Sequence, residues 1–475
     1  MLFNSFEFLL FLPIVFILYW FVFNNKLSWQ NGLVLLASYF FYGWWSWKFM
    51  GLLMLSTALD YAYGFWVASP NRKKAKLFLW LSIINNLGIL AIFKYYNFFA
   101  LQFQKGFDLL GLHTNPVLLQ VALPIGISFY TFQTISYTID VYNGKVKAQR
   151  SFLNFLTFVT LFPQLVAGPI VRYSIIQNQL SKRQVSWEGF NKGVERFCKG
   201  LFKKVAIANT AGAIANQLLD KDIQSITFFG GWMGLIIFGL QVYYDFSGYS
   251  DMAIGLGKIF GFDFNENFNH PYTAKSITDF WRKWHMSLST WLSDYIFTPI
   301  MIRFRDHRVA SLIIATTTTF FVSGLWHGAS WNFVLWGLYF GFWVLFESLF
   351  FAKILKRTPS IVQHVYFIAL IIPSWMLFYY TDFNKIKILG ATIFSFNNIS
   401  ADLESLLLIK ENIFWLILAI LFSLPTFKFL NGLVNKIKNN LVVNVLNTSI
   451  TVMFFVISII LLVGSSYNPF LYFRF

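Results

Sequence analysis

Long apolar runs recur along the chain, and short segments rich in polar and charged residues separate them. A helix needs roughly 20 predominantly apolar residues to cross a membrane, and about eleven runs approach this length. The predicted spans lie near residues 6–23, 30–46, 49–68, 77–93, 117–140, 226–244, 309–326, 331–352, 361–380, 412–427 and 443–464. Two further stretches, 152–170 and 205–219, are shorter or more polar and predict re-entrant or partly buried helices. The pattern predicts an all-α integral membrane protein.

The composition agrees with a membrane protein and excludes an ordinary soluble one. Hydrophobic residues make up 57% of the chain and charged residues 12%, the latter being about half the share found in soluble proteins. No basic segment precedes the first apolar run, so this run predicts a membrane span rather than a signal peptide. The single cysteine, Cys198, excludes an intrachain disulfide.

The net charge of +17 indicates membrane orientation rather than nucleic-acid binding, because the Lys and Arg clusters lie between apolar runs. Loops rich in these residues stay on the cytoplasmic side. The segment 71–76 is the clearest such loop, and counting spans from it places the basic residues of 141–204 on the same side. The count does the same for Lys353, Lys356, Arg357, Lys428, Lys436 and Lys438. The N-terminus is then external, and 1–475 is predicted to form a single polytopic membrane domain.

His327 lies where two long apolar runs meet, in a polar stretch that contains Trp326 and ends at Asn332. Ionisable residues at membrane depth are costly, so each is a candidate functional residue. Gly324 and Gly328 flank His327 and permit close approach of backbone or ligand. A desolvated imidazole stays neutral and can accept the proton of an attacking hydroxyl. The alternative is a helix-packing motif in which the histidine only bonds a neighbouring carbonyl.

A second histidine, His285, follows a string of aromatic and basic residues that includes Trp281 and Arg282. One interpretation places these side chains along a substrate path. The other is an amphipathic helix at the membrane surface, with its cations near lipid headgroups and its Trp rings anchoring its depth. The residues alone leave both interpretations open.

Two acidic residues, Asp245 and Asp251, are predicted to lie just past the end of the span 226–244. In a turn rich in Ser and Gly, such residues cap a helix or bond to backbone. We therefore expect a structural role for both.

Motifs of several soluble enzyme classes are missing from the sequence. The chain contains no phosphate-binding loop, no cysteine pair for zinc and no His-Glu-x-x-His. We expect neither a metal site nor a permanently bound cofactor. A buried histidine without these partners suits transfer of an acyl group from an activated donor such as a thioester.

Three long motifs occur in the second half of the chain: YDFSGYSDMAIG at 244–255, FWRKWHMSLSTW at 280–291 and GLWHGASW at 324–331. Weaker motifs lie at 123–129, 166–170 and 469–473. At these residues the sequence resembles the membrane-bound O-acyltransferase family, and most of all its bacterial branch that O-acetylates alginate and other polysaccharides. The resemblance covers nearly the whole chain, and three ordered motifs are far more specific than one.

The resemblance implies a helical ring with a central tunnel, with a family core over about 117–380. It implies that His327 matches the family's near-invariant histidine and His285 its second histidine, both catalytic. An acyl-CoA, expected to be acetyl-CoA, would be the co-substrate on the cytoplasmic side of a bacterial inner membrane. A periplasmic or membrane-anchored acyltransferase partner would pass the group to a polysaccharide or cell-wall hydroxyl. Asp245, Asp251, Trp326, Asn332, Trp281 and Arg282 are substrate-path or structural candidates.

One segment departs from the family pattern, because residues 296–302 read IFTPIMI where the alginate-type proteins have Pro-Leu-Gly-Gly. The identities of donor and acceptor are therefore less defined than the reaction class. Two other functions are consistent with many spans and buried polar residues: a transporter or flippase, and a non-catalytic subunit of a polysaccharide export complex. A transporter built from repeats would show internal symmetry, and the sequence shows none.

Overall fold

The computed structural model describes residues 1–24, 26–113, 115–120, 122–397, 399–426, 440–464 and 471. The basic residues Lys428, Lys436 and Lys438, and most of the motif at 469–473, lie outside these ranges. The described chain is mainly helical, and no β-strand occurs within it. The predicted all-α class is confirmed.

The described residues form two compact units. The first comprises Met1–Phe197 and Met252–Asn265, and the second comprises the described part of Cys198–Asp251 and Glu266–Phe475. Every candidate catalytic residue belongs to the second unit. The prediction of a single domain with a core at 117–380 stays a prediction.

The first unit contains a series of α-helices, two of which continue into π-helical turns at Leu18–Val22 and Ala91–Tyr95. The α-helices are Phe6–Ile17, Leu27–Gly43, Trp47–Val67, Arg72–Leu90, Tyr96–Leu109, Ile127–Tyr142, Phe152–Thr160, Phe162–Leu165 and Tyr173–Ile176. The helix Trp187–Phe202 begins in this unit and ends in the second.

The second unit contains long helices alternating with short ones. Its α-helices are Asn209–Leu219, Phe228–Ile259 (whose last turns belong to the first unit), Ile277–Trp281, Met286–Leu292, Thr298–Arg303, Arg308–His327, Trp331–Phe346, Ala352–Leu355, Ser360–Tyr379, Phe383–Ile393, Leu403–Glu411, Ile413–Ser423 and Asn440–Val463. The π-helical segments are Lys203–Ala208, Ser293–Phe297 and Glu347–Phe351, and the 3₁₀ turns are Ile223–Ser225 and Pro271–Thr273.

Five helices of the described chain are long and apolar enough to cross a membrane. They are Arg72–Leu109, Arg308–His327, Trp331–Leu355, Ser360–Tyr379 and Leu441–Val463. A sixth candidate consists of Leu403–Glu411 and Ile413–Ser423, which meet at an angle of 65°. Helices occur at all the predicted spans, but many are shorter or more polar than predicted; the run at 117–140, for example, becomes helical only at Ile127. The count of about eleven spans therefore stays a prediction.

A buried polar cluster joins three helices of the first unit, and the sequence pattern did not single it out. Asp60 is fully buried, and its Oδ1 atom accepts hydrogen bonds from Ser82 Oγ at 2.9 Å and Asn86 Nδ2 at 2.8 Å. Thr134 Oγ1 donates to Asn86 Oδ1 at 2.8 Å. Buried polar groups require such partners, so this cluster fixes the mutual register of the helices that carry it.

The core of the second unit is unusually aromatic. The largest fully buried side chains of this unit include Trp284, Trp336 and Trp375, and the ring of Phe280 stacks on Trp284 with centroids 5.3 Å apart. Aromatic side chains bury a large area and few polar atoms. This core surrounds both candidate catalytic histidines.

Candidate active site

His327 is the last residue of the helix Arg308–His327, and a tightly packed helical hairpin holds it. A Cβ atom added to Gly324 would lie 2.4 Å from the carbonyl oxygen of Phe333, and one added to Gly328 would lie 2.3 Å from the Phe333 ring. On the facing helix, a Cβ at Gly337 would lie 2.2 Å from the Phe320 carbonyl oxygen. The space beside the glycines that flank His327 is therefore occupied by the following helix. Helix packing explains these glycines without a ligand.

The His327 imidazole is buried, with 3% of the residue exposed, and aromatic rings surround it. Its ring centroid lies 5.0 Å from that of Trp326, 5.0 Å from Trp336 and 5.5 Å from Phe378, all in edge-on geometry. These contacts exclude water and restrict the side-chain rotamer. The helix-packing role and the catalytic role proposed for this motif are therefore compatible, because the packing places the histidine.

His285 has an unusual backbone conformation, with a φ of 43° and a ψ of 51°, immediately before the helix Met286–Leu292. Non-glycine residues seldom adopt this left-handed conformation, and it persists only where the surroundings impose it. The residue is 0% exposed. A surface amphipathic helix would leave its polar residues in contact with headgroups and water, so that alternative does not fit His285.

Asn267 determines which nitrogen of His285 carries the proton. The Oδ1 atom of Asn267 lies 3.1 Å from His285 Nδ1 and accepts hydrogen bonds from the backbone N–H and the hydroxyl of Ser287. Its Nδ2 donates to Ser250 Oγ at 3.0 Å, which fixes the orientation of the amide. Because Asn267 Oδ1 can only accept, His285 Nδ1 donates to it, and neutral His285 has its lone pair at Nε2.

The Nε2 atom of His285 is buried and has no hydrogen-bond partner among the described residues. Burial, and secondarily the neighbouring His327, lowers the pKa of His285 well below its usual value of 6.5. The charged imidazolium is disfavoured in such surroundings. His285 therefore presents a proton acceptor that remains neutral at physiological pH.

The indole of Trp326 contacts both histidines. Its ring centroid lies 5.6 Å from that of His285 and 5.0 Å from that of His327, and Phe246 covers another edge of His285 at 4.6 Å. The imidazoles of His285 and His327, which are distant in the chain, thus both pack against the indole of Trp326. The structure brings together His327, His285 and Trp326.

Asp245 and Asp251 do not lie in a turn, and this part of the sequence interpretation is wrong. The predicted span ended at residue 244, whereas the helix Phe228–Ile259 continues through both residues. Asp245 pairs with Lys204 at 2.5 Å, with both side chains 3% exposed, and Asp251 pairs with Lys203 at 2.7 Å. These aspartates end the apolar run but not the helix, because lysine side chains neutralise their charge inside the protein.

The pair between Asp245 and Lys204 has a third member near the end of the chain. The backbone N–H of Leu471 donates to Asp245 Oδ2 at 2.8 Å. A buried carboxylate needs such donors as well as a counterion. Both acidic residues hold the second unit together, and neither contacts the two histidines in the contacts described.

The remaining candidates have different surroundings. Trp281 packs against Trp336 at 5.8 Å, and its indole nitrogen is buried without an acceptor among the described residues. Asn332 is fully buried and donates from Nδ2 to the Leu377 carbonyl oxygen at 2.9 Å. Arg282 is exposed and does not join the group around His327.

Asn267 and Trp336 are site residues that the sequence interpretation missed. Asn267 lies between two family motifs in a stretch rich in polar residues, and nothing in the sequence distinguishes it from neighbours such as Asn265 and Asn269. Its backbone carbonyl also accepts from the Met286 N–H at 2.9 Å, so it supports both the backbone and the ring of His285. Trp336 lies nine residues after His327 in a run that is apolar throughout.

The family model for "MBOAT, membrane-bound O-acyltransferase family" matches residues 44–386 of this chain. Among curated proteins, the chain is 38% identical to the probable alginate O-acetylase AlgI of Azotobacter vinelandii, over 88% of this chain and 83% of the relative. It is 36% identical to the protein of the same name from Pseudomonas putida over the whole of both chains.

More distant relatives carry other substrate names. The chain is 36% identical to the peptidoglycan O-acetyltransferase of Helicobacter pylori, over 65% of this chain and 62% of the relative. It is 29% identical to the teichoic acid D-alanyltransferase of Bacillus subtilis, over 45% and 56%. The family match covers most of the chain and agrees with its apolar helices. This multi-pass membrane protein is an O-acyltransferase and belongs to the membrane-bound O-acyltransferase family.

Proposed function

We propose that this enzyme moves an acetyl group from a cytoplasmic thioester donor, acetyl-CoA, to a hydroxyl of an extracytoplasmic polysaccharide. The observation that carries the proposal is the pair of buried histidines against Trp326, with the lone pair of His285 available at Nε2. Similarity to enzymes named for alginate and peptidoglycan O-acetylation supports a polymer hydroxyl as acceptor and acetyl as the group.

In the proposed reaction, His327 accepts the proton of the acceptor hydroxyl while its oxygen attacks the thioester carbonyl carbon. His285 accepts a hydrogen bond at Nε2 from a second N–H or O–H group of the reactants and so holds them beside His327. The carbon–sulfur bond then breaks, and the departing thiolate takes the proton from the His327 imidazolium. General base catalysis contributes about 10²–10⁴ in rate, and confinement of both reactants in one dry site contributes further.

In this proposal, the indole N–H of Trp336 donates a hydrogen bond to the thioester carbonyl oxygen and stabilises the negative charge that develops there. Its ring contacts His327, and its buried indole nitrogen has no acceptor among the described residues. A donor that finds its acceptor only in the reaction is typical of an oxyanion site. Asn332 is a weaker candidate, because its amide nitrogen already donates to Leu377.

We further propose that the enzyme resides in the bacterial inner membrane, and that the attacking hydroxyl belongs to a periplasmic or membrane-anchored partner, which then passes the acetyl group to the polymer. The basic loops that the sequence assigns to the cytoplasm support this orientation. Surrounding lipid is the other partner of the apolar helices.

The proposal is tested by replacing His327 and His285 with Ala in cells that carry the protein, and measuring acetyl groups on cell-surface polymers by mass spectrometry. His307→Ala is the matched control, because this exposed histidine lies just before the same helix. We expect acetylation to disappear in both active-site variants at unchanged protein level and to persist in the control. Full acetylation in His327→Ala would refute the mechanism.

A second measurement separates the enzyme from a transporter or a non-catalytic subunit. Purified protein is given acetyl-CoA together with the envelope fraction of cells that lack this protein, which supplies the partner and the acceptor polymer, and release of free thiol is followed. A transporter would move substrate without breaking the thioester, and a structural subunit would show no reaction with or without its histidines.

A further inference from the structure

The buried polar cluster of the first unit contains a carboxylate that the proposed reaction does not use. Asp60 belongs to the helix Trp47–Val67 and is 0% exposed. Its partners lie on two further helices of the same unit, Arg72–Leu90 and Ile127–Tyr142. Hydroxyl and amide groups surround it, and no Lys, Arg or His of the described chain pairs with it. A buried carboxylate without a counterion is costly, so the charge of Asp60 requires a partner.

The hydrogen-bond donors around this carboxylate are already engaged. Ser82 Oγ and Asn86 Nδ2 both donate to the same atom, Oδ1, and Asn86 Nδ2 also donates to the Ser82 carbonyl oxygen at 3.0 Å. The Thr134 hydroxyl lies beside Asp60, but it donates its single proton to Asn86 Oδ1 at 2.8 Å. The Oδ2 atom of Asp60 is buried and has no hydrogen-bond partner among the described residues. One oxygen of the carboxylate is therefore unsatisfied.

Several oxygen atoms near Asp60 retain lone pairs. Ser82 and Thr134 donate their hydroxyl protons as described, and Thr138 donates to a backbone carbonyl oxygen of its own helix at 3.1 Å. The hydroxyl oxygens of Ser82 and Thr138 lie 3.4 Å apart, and a hydroxyl that has donated its proton still has two acceptor lone pairs. Tyr130, one turn before Thr134, has a buried hydroxyl with no partner in the described chain. The cluster thus has more acceptors than donors, which favours a cation.

The charge and the ligand atoms of the cluster decide which cation fits. Hard cations prefer oxygen ligands, and the cluster contains neither sulfur nor imidazole. A monovalent ion beside the single carboxylate leaves a neutral site, whereas a divalent ion would leave an uncompensated positive charge in buried surroundings. No group of three His, Cys, Asp or Glu side chains that could hold a metal ion occurs among the described residues. An alkali ion requires no such group and none of the zinc motifs that the sequence lacks.

We propose that this cluster binds a monovalent alkali cation, Na⁺ or K⁺, at the Oδ2 atom of Asp60. Hydroxyl and amide oxygens of the two neighbouring helices complete the site. The ion supplies the missing counterion and links the three helices. This inference does not depend on the proposed reaction, because the cluster belongs to the first unit and both candidate catalytic histidines belong to the second.

The test measures equilibrium binding of radioactive sodium, and in parallel of radioactive rubidium as a substitute for K⁺, to the purified full chain in detergent. Choline chloride holds the ionic strength constant. We expect saturable binding of one ion per chain, which unlabelled NaCl or KCl displaces and additional choline chloride does not. The salt that displaces the label at the lower concentration identifies the ion. Absence of saturable binding of both labels would overturn the inference, and a proton would then neutralise Asp60.

Two variants and a matched control assign the binding to the cluster. Asp60→Asn removes the charge, retains the shape and an oxygen that can accept the existing hydrogen bonds, and should abolish binding. Thr134→Val removes one hydroxyl oxygen and should weaken binding about tenfold, which tests the site even if Asp60→Asn does not fold. Asp140→Asn removes a carboxylate from the same helix as Thr134, where it lies near Lys145, and should bind like the wild type. Binding that survives Asp60→Asn, or that disappears equally in the control, would overturn the inference.

A second measurement uses the melting temperature of the same proteins in equal concentrations of NaCl, KCl and choline chloride. An ion that binds only the folded chain raises this temperature, by roughly 5 °C at about 100 times its dissociation constant. We expect the increase in the wild type and in Asp140→Asn, and no difference between the salts in Asp60→Asn. Equal melting temperatures of the wild type in all three salts would contradict a bound alkali ion.

Discussion

The Nδ1 atom of His285 lies 3.1 Å from the Oδ1 atom of Asn267, and this contact orients an imidazole that is entirely buried. Asn267 in turn is held by Ser250 and Ser287. The amide therefore performs the supporting task that a carboxylate performs for other catalytic histidines, but without adding a charge. In a dry site, this difference keeps the imidazole neutral.

Asn267→Ala should lower the rate of acyl transfer about tenfold to a hundredfold, because His285 loses its fixed tautomer and orientation. The rate is measured as thiol release from acetyl-CoA by purified protein. Asn269→Ala is the control, since this neighbouring asparagine is exposed. An unchanged rate in Asn267→Ala would show that the contact has no catalytic consequence.

Asn267→Asp should change the pH dependence. In the wild type, burial keeps the pKa of His285 below its usual 6.5, so the active neutral form persists into acidic solution. A carboxylate at position 267 would favour the imidazolium and raise this pKa. The acidic limb of the pH–rate profile should then move to higher pH, whereas Asn269→Asp should leave it in place. A shift in the opposite direction would contradict the assigned tautomer and charge.

Trp336→Phe should lower kcat by about a hundredfold if the indole N–H stabilises the developing oxyanion. The phenyl ring retains most of the packing against His327, so KM and thermal stability should change little. Trp343→Phe, two turns along the same helix, makes the same chemical change outside the His327 contacts. Equal kcat values for the two variants would remove Trp336 from the mechanism.

Gly324→Ala should destabilise the protein by roughly 1–3 kcal/mol, because the added methyl group collides with the backbone of the facing helix. The colliding atom is the Phe333 carbonyl oxygen, which no side-chain rotation can move. Thermal unfolding in detergent measures the loss. At Gly390 the same substitution would meet only Met376 at 3.6 Å, and its melting temperature should match that of the wild type.

The buried pair of Lys204 and Asp245 should be costly to break from one side. Asp245→Leu leaves a buried ammonium group without its counterion and should cost about 3–5 kcal/mol of stability. The double variant Asp245→Leu/Lys204→Met should recover most of this loss, because no uncompensated charge remains. Strictly additive effects in unfolding measurements of the single and double variants would deny that the two residues interact.

The apolar runs predicted where helices lie, although not their bounds, and the family motifs marked His327 and His285 as candidates whose catalytic role stays a prediction. The sequence failed where polar residues found partners far away in the chain. The run of hydropathy ends near residue 244, but the helix continues because Lys204 and Leu471, 41 and 226 residues distant, bond to Asp245. Similarly, nothing local marks Asn267 as the partner of His285, because their contact depends on how two loops fold together.

The glycine packing beside His327 has a further consequence for how the enzyme works during turnover. Gly324 and Gly337 bring the two helices so close that sliding or rotation of one past the other would collide with backbone, and Gly328 packs against the ring of Phe333. His327 is therefore a stationary point in the catalytic cycle. The donor, the acceptor and the departing thiol must therefore move toward or away from His327, because the histidine itself stays in place.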